Sequence, residues 1–192
     1  MKYIYENWEN EILSLTQDTI ECAIASAYLS PYGVQFLEKL TKKLAKSVDN
    51  SKVSIKILLS DQFSNNPATR KEILEKLEKL PSIEVRIYSQ DDSFLHCKNF
   101  IFKTKTEIKA IIGSVNLTNS GFFRNIEFAS FHSHPNDDPQ GKKLIGEFNR
   151  LWKSSQNATS FIQGDSMYDN YNFQAGDNVK IIRSGKIGTI NR

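Results

Sequence analysis

Two residues that can do chemistry lie close together in the stretch SFLHCKNFIFK: His96 and Lys98. The 192-residue chain has only three histidines, so a histidine two positions before a lysine in an apolar segment is informative. Successive side chains of a β-strand point to opposite faces. If this segment is a strand, His96 and Lys98 point the same way and Cys97 points to the other face. The pair would then form a small cationic surface.

Further polar residues follow at short spacing. A second apolar run ends in Gly-Ser-x-Asn, and the next one begins with Asn-x-Glu. The residues of these two motifs are Gly113, Ser114, Asn116, Asn125 and Glu127. In the order His-x-Lys, Gly-Ser-x-Asn, Asn-x-Glu, the motifs resemble the signature of the phospholipase D superfamily. The resemblance covers the motifs closely and the α/β pattern of residues 1–155 loosely.

The chain departs from the superfamily signature at one position. The full signature has an aspartate where this chain has Lys103. The branch that contains metal-independent restriction endonucleases is similar to this chain, because it has the histidine, lysine, asparagine and a later glutamate without that aspartate. This resemblance implies DNA as the partner and a reaction that needs no cofactor.

Phosphodiester cleavage without a metal gives four of these side chains a role. Cationic and hydrogen-bond-donating groups must surround the nonbridging oxygens, and Lys98 with the amide of Asn116 would supply them. A neutral His96 imidazole can attack phosphorus and form a covalent phosphohistidine. Glu127 would accept a hydrogen bond from the other ring nitrogen and fix the tautomer of the histidine.

Supporting residues are expected around this core. Gly113 would allow a tight turn, Ser114 would bring a hydroxyl near the phosphate, and Asn125 would make a supporting hydrogen bond. Basic residues near the motifs could follow the backbone of DNA, although basic hairpin turns also serve solubility. These basic residues are Lys103, Lys105, Lys109 and Arg124.

The leaving oxygen needs a proton, which a second histidine would donate. His132 and His134, in FHSHPNDD, have no lysine two positions later, so the chain contains one copy of the motif. We therefore expect a homodimer in which two copies of His96 and Lys98 form one shared site on a twofold axis. A metal site at the two later histidines is less favoured, because they lie in a turn rich in Pro and Asp.

The elements that position these residues are predicted from hydrophobic periodicity. An opening helix, a buried strand over TIECAIASAYL and further alternating helices and strands precede a hairpin across TKT, another strand and a closing helix. The pattern predicts an α/β fold: a phospholipase D-like mixed sheet flanked by helices, most of its strands parallel. The apolar faces of the second and the closing helix are Phe36, Leu37, Leu40, Leu44 and Val48, and Leu144, Phe148 and Leu151.

Composition divides the chain into three ranges. Residues 1–155 are expected to form the catalytic domain and residues 156–172 a polar linker. Residues 173–192 have β-branched residues separated by Gly and are expected to be a short β-rich tail, the start of a small module. The resemblance to restriction endonucleases adds the expectation of a DNA-recognition domain beyond residue 192.

Composition, net charge and hydrophobicity exclude few classes of function. A charged fraction of 24% and a net charge of +3 are ordinary for a globular protein and too mild to identify a partner. No apolar run approaches the roughly 18–20 residues of a membrane span, so we expect a cytoplasmic protein without a membrane partner. Cys22 and Cys97 lack metal-ligand spacing and are expected to be reduced thiols.

Three functions stay open at this level. The first is a metal-independent phosphodiesterase that cleaves DNA, as the catalytic domain of a type II restriction endonuclease; the motifs do not distinguish DNA from RNA. The second is a phospholipid headgroup hydrolase or transferase of the same superfamily, disfavoured because the chain shows no membrane anchor and no second motif. The third is a phosphate-binding module without catalysis, which the intact His96, Lys98, Asn116 and Glu127 disfavour.

Overall fold

The computed structural model of the protein describes residues 2–47, 53–64, 66–90 and 93–160, and the backbone of 178–181 and 186–189. Ten strands occur in these ranges: β1 (Lys2–Ile4), β2 (Glu21–Ser26), β3 (Ser54–Ser60), β4 (Ile83–Tyr88), β5 (Lys98–Lys103), β6 (Glu107–Gly113), β7 (Ala129–Pro135), β8 (Gln156–Asn157), β9 (Asn178–Ile181) and β10 (Lys186–Thr189). Five helices lie wholly within the same ranges: α1 (Trp8–Ser14), α2 (Pro31–Ser47), α3 (Pro67–Glu78), α4 (Asn119–Phe123) and α5 (Pro139–Lys153).

Eight of the strands form one mixed sheet in the order β1-β7-β6-β5-β2-β3-β4-β8. Strands β2, β3 and β4 are parallel, because the helical crossovers α2 and α3 connect them. The other neighbouring strands are antiparallel. The predicted mixed sheet flanked by helices is confirmed. The expectation that most strands are parallel is wrong, since the second half of the chain adds its strands by short antiparallel connections.

The core lies on both faces of the sheet. Alternate residues of β2 contribute to each face, with Cys22 and Ile24 in the cluster beneath α1, α2 and α3, and Ala23 and Ala25 in the cluster beneath α5. Helix α2 buries Phe36, Leu37, Leu40 and Leu44 as predicted, and Val48 lies outside the described residues. Helix α5 buries Phe148 and partly buries Leu144 and Leu151, also as predicted.

Side-chain caps fix where two of the helices begin. The Asn66 side chain accepts a hydrogen bond from the Thr69 amide at the start of α3. Asp138 accepts from the amides of Gln140 and Gly141 at the start of α5. A proline follows each cap, where a missing amide proton costs nothing. These caps start each helix where its apolar face meets the sheet.

The strand ends bring the motif residues to one edge of the sheet. In the pairing register, Ala25 lies opposite Asn99, Lys98 opposite Gly113, and Gly113 opposite Ala129. The end of β2, the start of β5, the end of β6 and the start of β7 therefore lie side by side. We call this the site edge.

Three elements of the fold were not predicted. Strand β1 pairs with β7, helix α4 follows the Gly-Ser-x-Asn motif, and β8 pairs with Arg86 and Ile87. Because Gln156–Asn157 join the sheet and Ala158 is buried, the domain extends into the range expected as linker. All three elements are five residues or shorter, so none shows a full hydrophobic period.

Strands β9 and β10 form an antiparallel pair within the predicted β-rich tail, while residues 161–177 lie outside the described residues. Among the described helices, none combines the length and apolar character needed to cross a membrane.

Candidate active site

His96 and Lys98 occupy different environments. Strand β5 begins at Lys98, so His96 lies in the preceding loop and its side chain is exposed. Lys98 is only 5% exposed, and its Nζ donates a hydrogen bond to the backbone oxygen of His96 at 2.6 Å. The expectation that both residues share one strand face is therefore wrong. They are joined instead by a bond from the ammonium to the loop that carries the histidine.

The electrostatics of Lys98 follow from its burial. Desolvation lowers the pKa of the Lys98 ammonium below its ordinary value, while Cys97 in its thiolate form and the Glu127 carboxylate act in the opposite direction. A buried ammonium held by a bond to the backbone is a fixed donor for an anion. Glu127 is 7% exposed and is the buried carboxylate whose field reaches this lysine.

Glu127 is held by Ser114 and Asn125. The Ser114 hydroxyl donates a short hydrogen bond to one carboxylate oxygen, and the Asn125 Nδ2 donates to the other at 3.0 Å. Ser114 also accepts from the Phe128 amide at 3.0 Å. In the described part of the chain the His96 ring makes no hydrogen bond to Glu127, contrary to expectation, and the carboxylate instead accepts from Ser114 and Asn125.

Gly113 allows the close approach of β6 and β7. A Cβ atom on this residue would lie 2.2 Å from the Phe128 oxygen and 2.4 Å from the Ala129 Cβ, too close for any side chain. The expected role of Gly113 in a tight turn is therefore replaced by a packing role. The missing side chain lets the Ser114 amide bond to the Phe128 oxygen at 2.9 Å.

Asn116 is oriented by a part of the chain that sequence reasoning did not select. Its Oδ1 accepts a hydrogen bond from the Tyr28 amide at 3.1 Å and lies 3.4 Å from the Ser26 hydroxyl. A backbone amide can only donate, so it must face the oxygen of the side-chain amide. Nδ2 therefore points away from β2 and remains available as a donor. No periodicity or motif in the first thirty residues marks Ser26 or Tyr28.

The family described as "Cardiolipin synthase, PLD-like domain" matches residues 12–152. The chain belongs to this PLD-like family. That membership makes it a phosphodiesterase of the phospholipase D type, and it leaves the substrate open. A search of the curated proteins found no match to the chain.

Solved structures share the PLD-like fold. NucT from Helicobacter pylori is 16% identical, with a TM-score of 0.57 over 81% of this chain and 97% of that chain. Nuc from Salmonella typhimurium, a phospholipase D family member, is 16% identical, with a TM-score of 0.56 over 81% and 95%. Polyphosphate kinase from Porphyromonas gingivalis is 10% identical, with a TM-score of 0.51 over 88% and 28%. At these identities the likeness is one of fold.

Exposed apolar side chains surround the PLD-like site. The Phe94 ring lies 5.7 Å from the His96 ring and 6.3 Å from the Tyr28 ring. On the other side, Phe128 follows Glu127 in sequence and contacts two tyrosine rings of the N-terminal segment. We call these side chains the apolar rim: Tyr3, Tyr5, Tyr28, Phe94, Phe123, Ile126 and Phe128.

Most of the basic residues expected near the site lie elsewhere. Lys103 ends β5, five residues beyond Lys98, which corresponds to about 17 Å along an extended strand. Lys105 lies in the following turn, and Lys109 makes an ion pair with Glu107 at 2.9 Å. These three lysines are therefore at the opposite end of the hairpin. Arg124 differs, because it ends α4 and is exposed directly before Asn125.

His132 and His134 lie on β7, away from the site edge. The His132 Nε2 bonds to the Ser130 hydroxyl at 2.8 Å, and the His134 Nδ1 lies 3.1 Å from the Asp138 carboxylate. Burial, followed by the neighbouring His134, lowers the pKa of His132. Within the described ranges, no group of three or more His, Cys, Asp or Glu side chains is arranged to hold a metal ion.

Proposed function

We propose that this protein is a metal-independent phosphodiesterase that cleaves DNA through a covalent phosphohistidine on His96. The observation that supports it best is the pairing of an exposed imidazole with two fixed donors, the buried Lys98 ammonium and the Asn116 Nδ2. A phosphodiester anion placed between the two donors has its charge neutralised, and the neighbouring histidine can then attack the phosphorus.

The proposed reaction has two displacements. The neutral His96 nitrogen forms a bond to phosphorus while the P–O bond to one nucleoside oxygen breaks, and that oxygen leaves with a proton from a second histidine. A water molecule then attacks the phosphohistidine, gives its proton to the second histidine and restores His96. In this reaction Glu127 does not contact His96. It accepts a hydrogen bond from the Ser114 hydroxyl, which holds the segment after β6 in place, and its negative charge favours the protonated form of Lys98.

The second histidine is proposed to come from another copy of the chain. His132 and His134 lie along β7 from the site edge, so neither is placed to protonate a leaving group there. The apolar rim supports a second copy as the partner, because exposed aromatic rings around a charged site are typical of a surface that becomes covered. The proposed homodimer has two copies of His96 and Lys98 in one shared site.

DNA is the proposed substrate because the motifs resemble the branch of the superfamily that contains restriction endonucleases. A type II restriction endonuclease is the narrower form of this proposal, with sequence recognition by residues outside the described catalytic domain. Arg124 is the basic residue that stays beside the site and would contact a neighbouring phosphate. A phospholipid substrate is the second candidate, and the apolar rim with its fully exposed Ile126 favours it.

One assay separates these proposals. The protein is incubated with plasmid DNA in EDTA or in magnesium, and with phosphatidylcholine vesicles, and the products are separated on a gel and by chromatography. We expect DNA cleavage at equal rates with and without the chelator, and no headgroup release. A radiolabelled phosphoryl group should be trapped on the wild-type chain.

The controls are two histidine variants. His96→Ala should abolish both cleavage and the trapped label, because it removes the nucleophile without removing core volume. His132→Ala changes a histidine outside the site and should leave both intact. Cleavage that disappears in EDTA and returns with magnesium would refute the metal-independent mechanism. Headgroup release without DNA cleavage would show that the substrate is a phospholipid and not DNA.

A further inference from the structure

Ser26 lies at the end of β2, where its hydroxyl connects two segments that are about 90 residues apart in sequence. The residue is 0% exposed. Its Oγ accepts a hydrogen bond from the Leu117 amide at 3.1 Å and donates to the Tyr28 oxygen at 2.7 Å. The same Oγ lies 3.4 Å from the Asn116 Oδ1. One buried hydroxyl thus bonds to the backbone of Leu117, which follows Asn116 in sequence, and to the backbone of Tyr28, whose amide donates to the Asn116 side chain.

The contacts of this hydroxyl set the orientation of the Asn116 amide. The bond to the Tyr28 oxygen closes a tight turn that aims the Tyr28 amide at the Asn116 Oδ1. If the side-chain amide turned over, its Nδ2 would face the Tyr28 amide, and two donors would oppose each other without an acceptor. Turning the amide over would exchange this hydrogen bond for two opposed donors, so the observed orientation is preferred.

Backbone bonds reinforce the same junction. The Leu117 oxygen accepts from the Ser30 amide at 3.1 Å, and Leu29 forms an isolated parallel bridge with Leu117. The Ser30 hydroxyl accepts from the Asn119 amide at 3.3 Å. These bonds hold the two segments together, and within the described residues the hydrogen-bond partners of the Asn116 side chain are Ser26 and the Tyr28 amide.

We infer that Ser26 is a positioning residue for the reaction: it orients the Asn116 amide so that Nδ2 donates to the phosphate. This inference rests on the proposed function, because it assigns Asn116 to the phosphate. Ser26 itself does not touch the substrate. Its contribution should therefore exist only while Asn116 is present, which distinguishes positioning from a general effect on the fold.

The test is a double-mutant cycle in kcat/KM for cleavage of a DNA oligonucleotide in EDTA, with Ser26→Ala, Asn116→Ala and the double variant. We expect Ser26→Ala to lower kcat/KM about 10-fold in the wild-type background. In the Asn116→Ala background the same change should alter it less than about 2-fold. Equal losses in both backgrounds, or an unchanged rate in Ser26→Ala, would overturn the inference.

Thr19 provides a matched control at the other end of the same segment. It is also 0% exposed, and its hydroxyl donates to the Leu15 oxygen at 3.0 Å. Thr19→Val removes a buried hydroxyl with little change of volume, so it should lower the melting temperature as Ser26→Ala does while keeping kcat/KM. A rate loss in Thr19→Val equal to that of Ser26→Ala would show that the effect is one of stability.

A binding measurement separates failure of the inference from failure of the proposed function. Titration with inorganic phosphate should shift the side-chain NH₂ resonance of Asn116 in the wild-type NMR spectrum, and this shift should be lost in Ser26→Ala. If the wild type cleaves no phosphodiester but shows a shift that Ser26→Ala loses, the proposed function falls while Ser26 still orients Asn116 towards phosphate. If the shift is the same in both proteins, the positioning role falls regardless of cleavage.

Discussion

Replacing Lys98 with methionine should abolish activity and stabilise the fold at the same time. Lys98 is 5% exposed, and its pKa is lowered chiefly by burial, so the folded protein disfavours the charged form despite the opposing effect of the Glu127 carboxylate. The direction of this pKa shift decides the sign of the stability change. A fold that disfavours the charged lysine becomes more stable when the charge is removed. Methionine has a similar length and fills the site without an ionic group.

The expected magnitude is that of a single stabilising substitution. Removing the buried charge of Lys98 should raise the free energy of unfolding by about 1 kcal/mol, within the roughly 0.5–2 kcal/mol that single stabilising substitutions commonly contribute. Loss of the bond to the His96 oxygen reduces this gain in stability only slightly, because His96 lies in an exposed loop where water can replace the ammonium as the donor. Activity should fall by about 10²–10³-fold or more, as for removal of one preorganised donor in a transition state.

The stabilisation should also depend on pH. Because the pKa of Lys98 is lower in the folded chain than its ordinary 10.5, the unfolded chain binds more protons in the interval between the two values. Wild-type stability therefore rises relative to the variant as the pH passes through that interval, and the advantage of Lys98→Met should be largest near neutral pH and shrink towards pH 10.5.

Urea unfolding at several pH values, with plasmid cleavage in parallel, measures both effects. Lys103→Met is the matched control, since it makes the same change at the far end of β5. It should keep activity and alter stability by no more than about 0.5 kcal/mol. A Lys98→Met protein that is less stable than wild type at neutral pH, or whose stability difference does not change with pH, would refute this account of the buried ammonium.

Three further predictions test the site and its assembly. Asn116→Asp keeps the acceptor for the Tyr28 amide but replaces Nδ2 with an oxygen, so kcat/KM should fall about 10²–10³-fold with little change in melting temperature. A retained rate would contradict the donor role. Gly113→Ala should lose about 1–3 kcal/mol of stability, because its Cβ would meet backbone at 2.2 Å, whereas Gly146→Ala, with no atom within 4 Å, should be neutral or stabilising by calorimetry. Mixing wild-type with His96→Ala chains should give heterodimers with far less than half the cleavage rate, and a rate of one half would contradict a shared site.

The short motifs made much of the site predictable. A hairpin with an apolar face and a Thr-Lys-Thr turn requires its two ends to be adjacent, so Lys98 had to lie near Gly113 and Ser114. The three long helices were predictable for the same reason, since each shows several turns of apolar periodicity. The family membership was also implied by the motifs, because their residue types and order are chemically constrained.

Other features of the site depend on contacts between distant parts of the chain. The partners of Asn116 come from Ser26 and Tyr28, and nothing in local sequence relates positions so far apart. The separation of Lys103 and Lys109 from the site follows instead from the local hairpin, because five residues along a strand carry a side chain to its turn end.

The sequence by itself determined the chemistry and the elements: which residue types are present, their spacing, and where apolar periodicity makes a strand or helix favourable. Only the tertiary structure decided which atoms are buried and which donors remain unpaired. Burial of Lys98, the two bonds that occupy Glu127, and the orientation of Asn116 arise from strand order and register. These depend on the summed packing of the whole sheet, so residues of the same type at the same spacing acquire different environments and different roles.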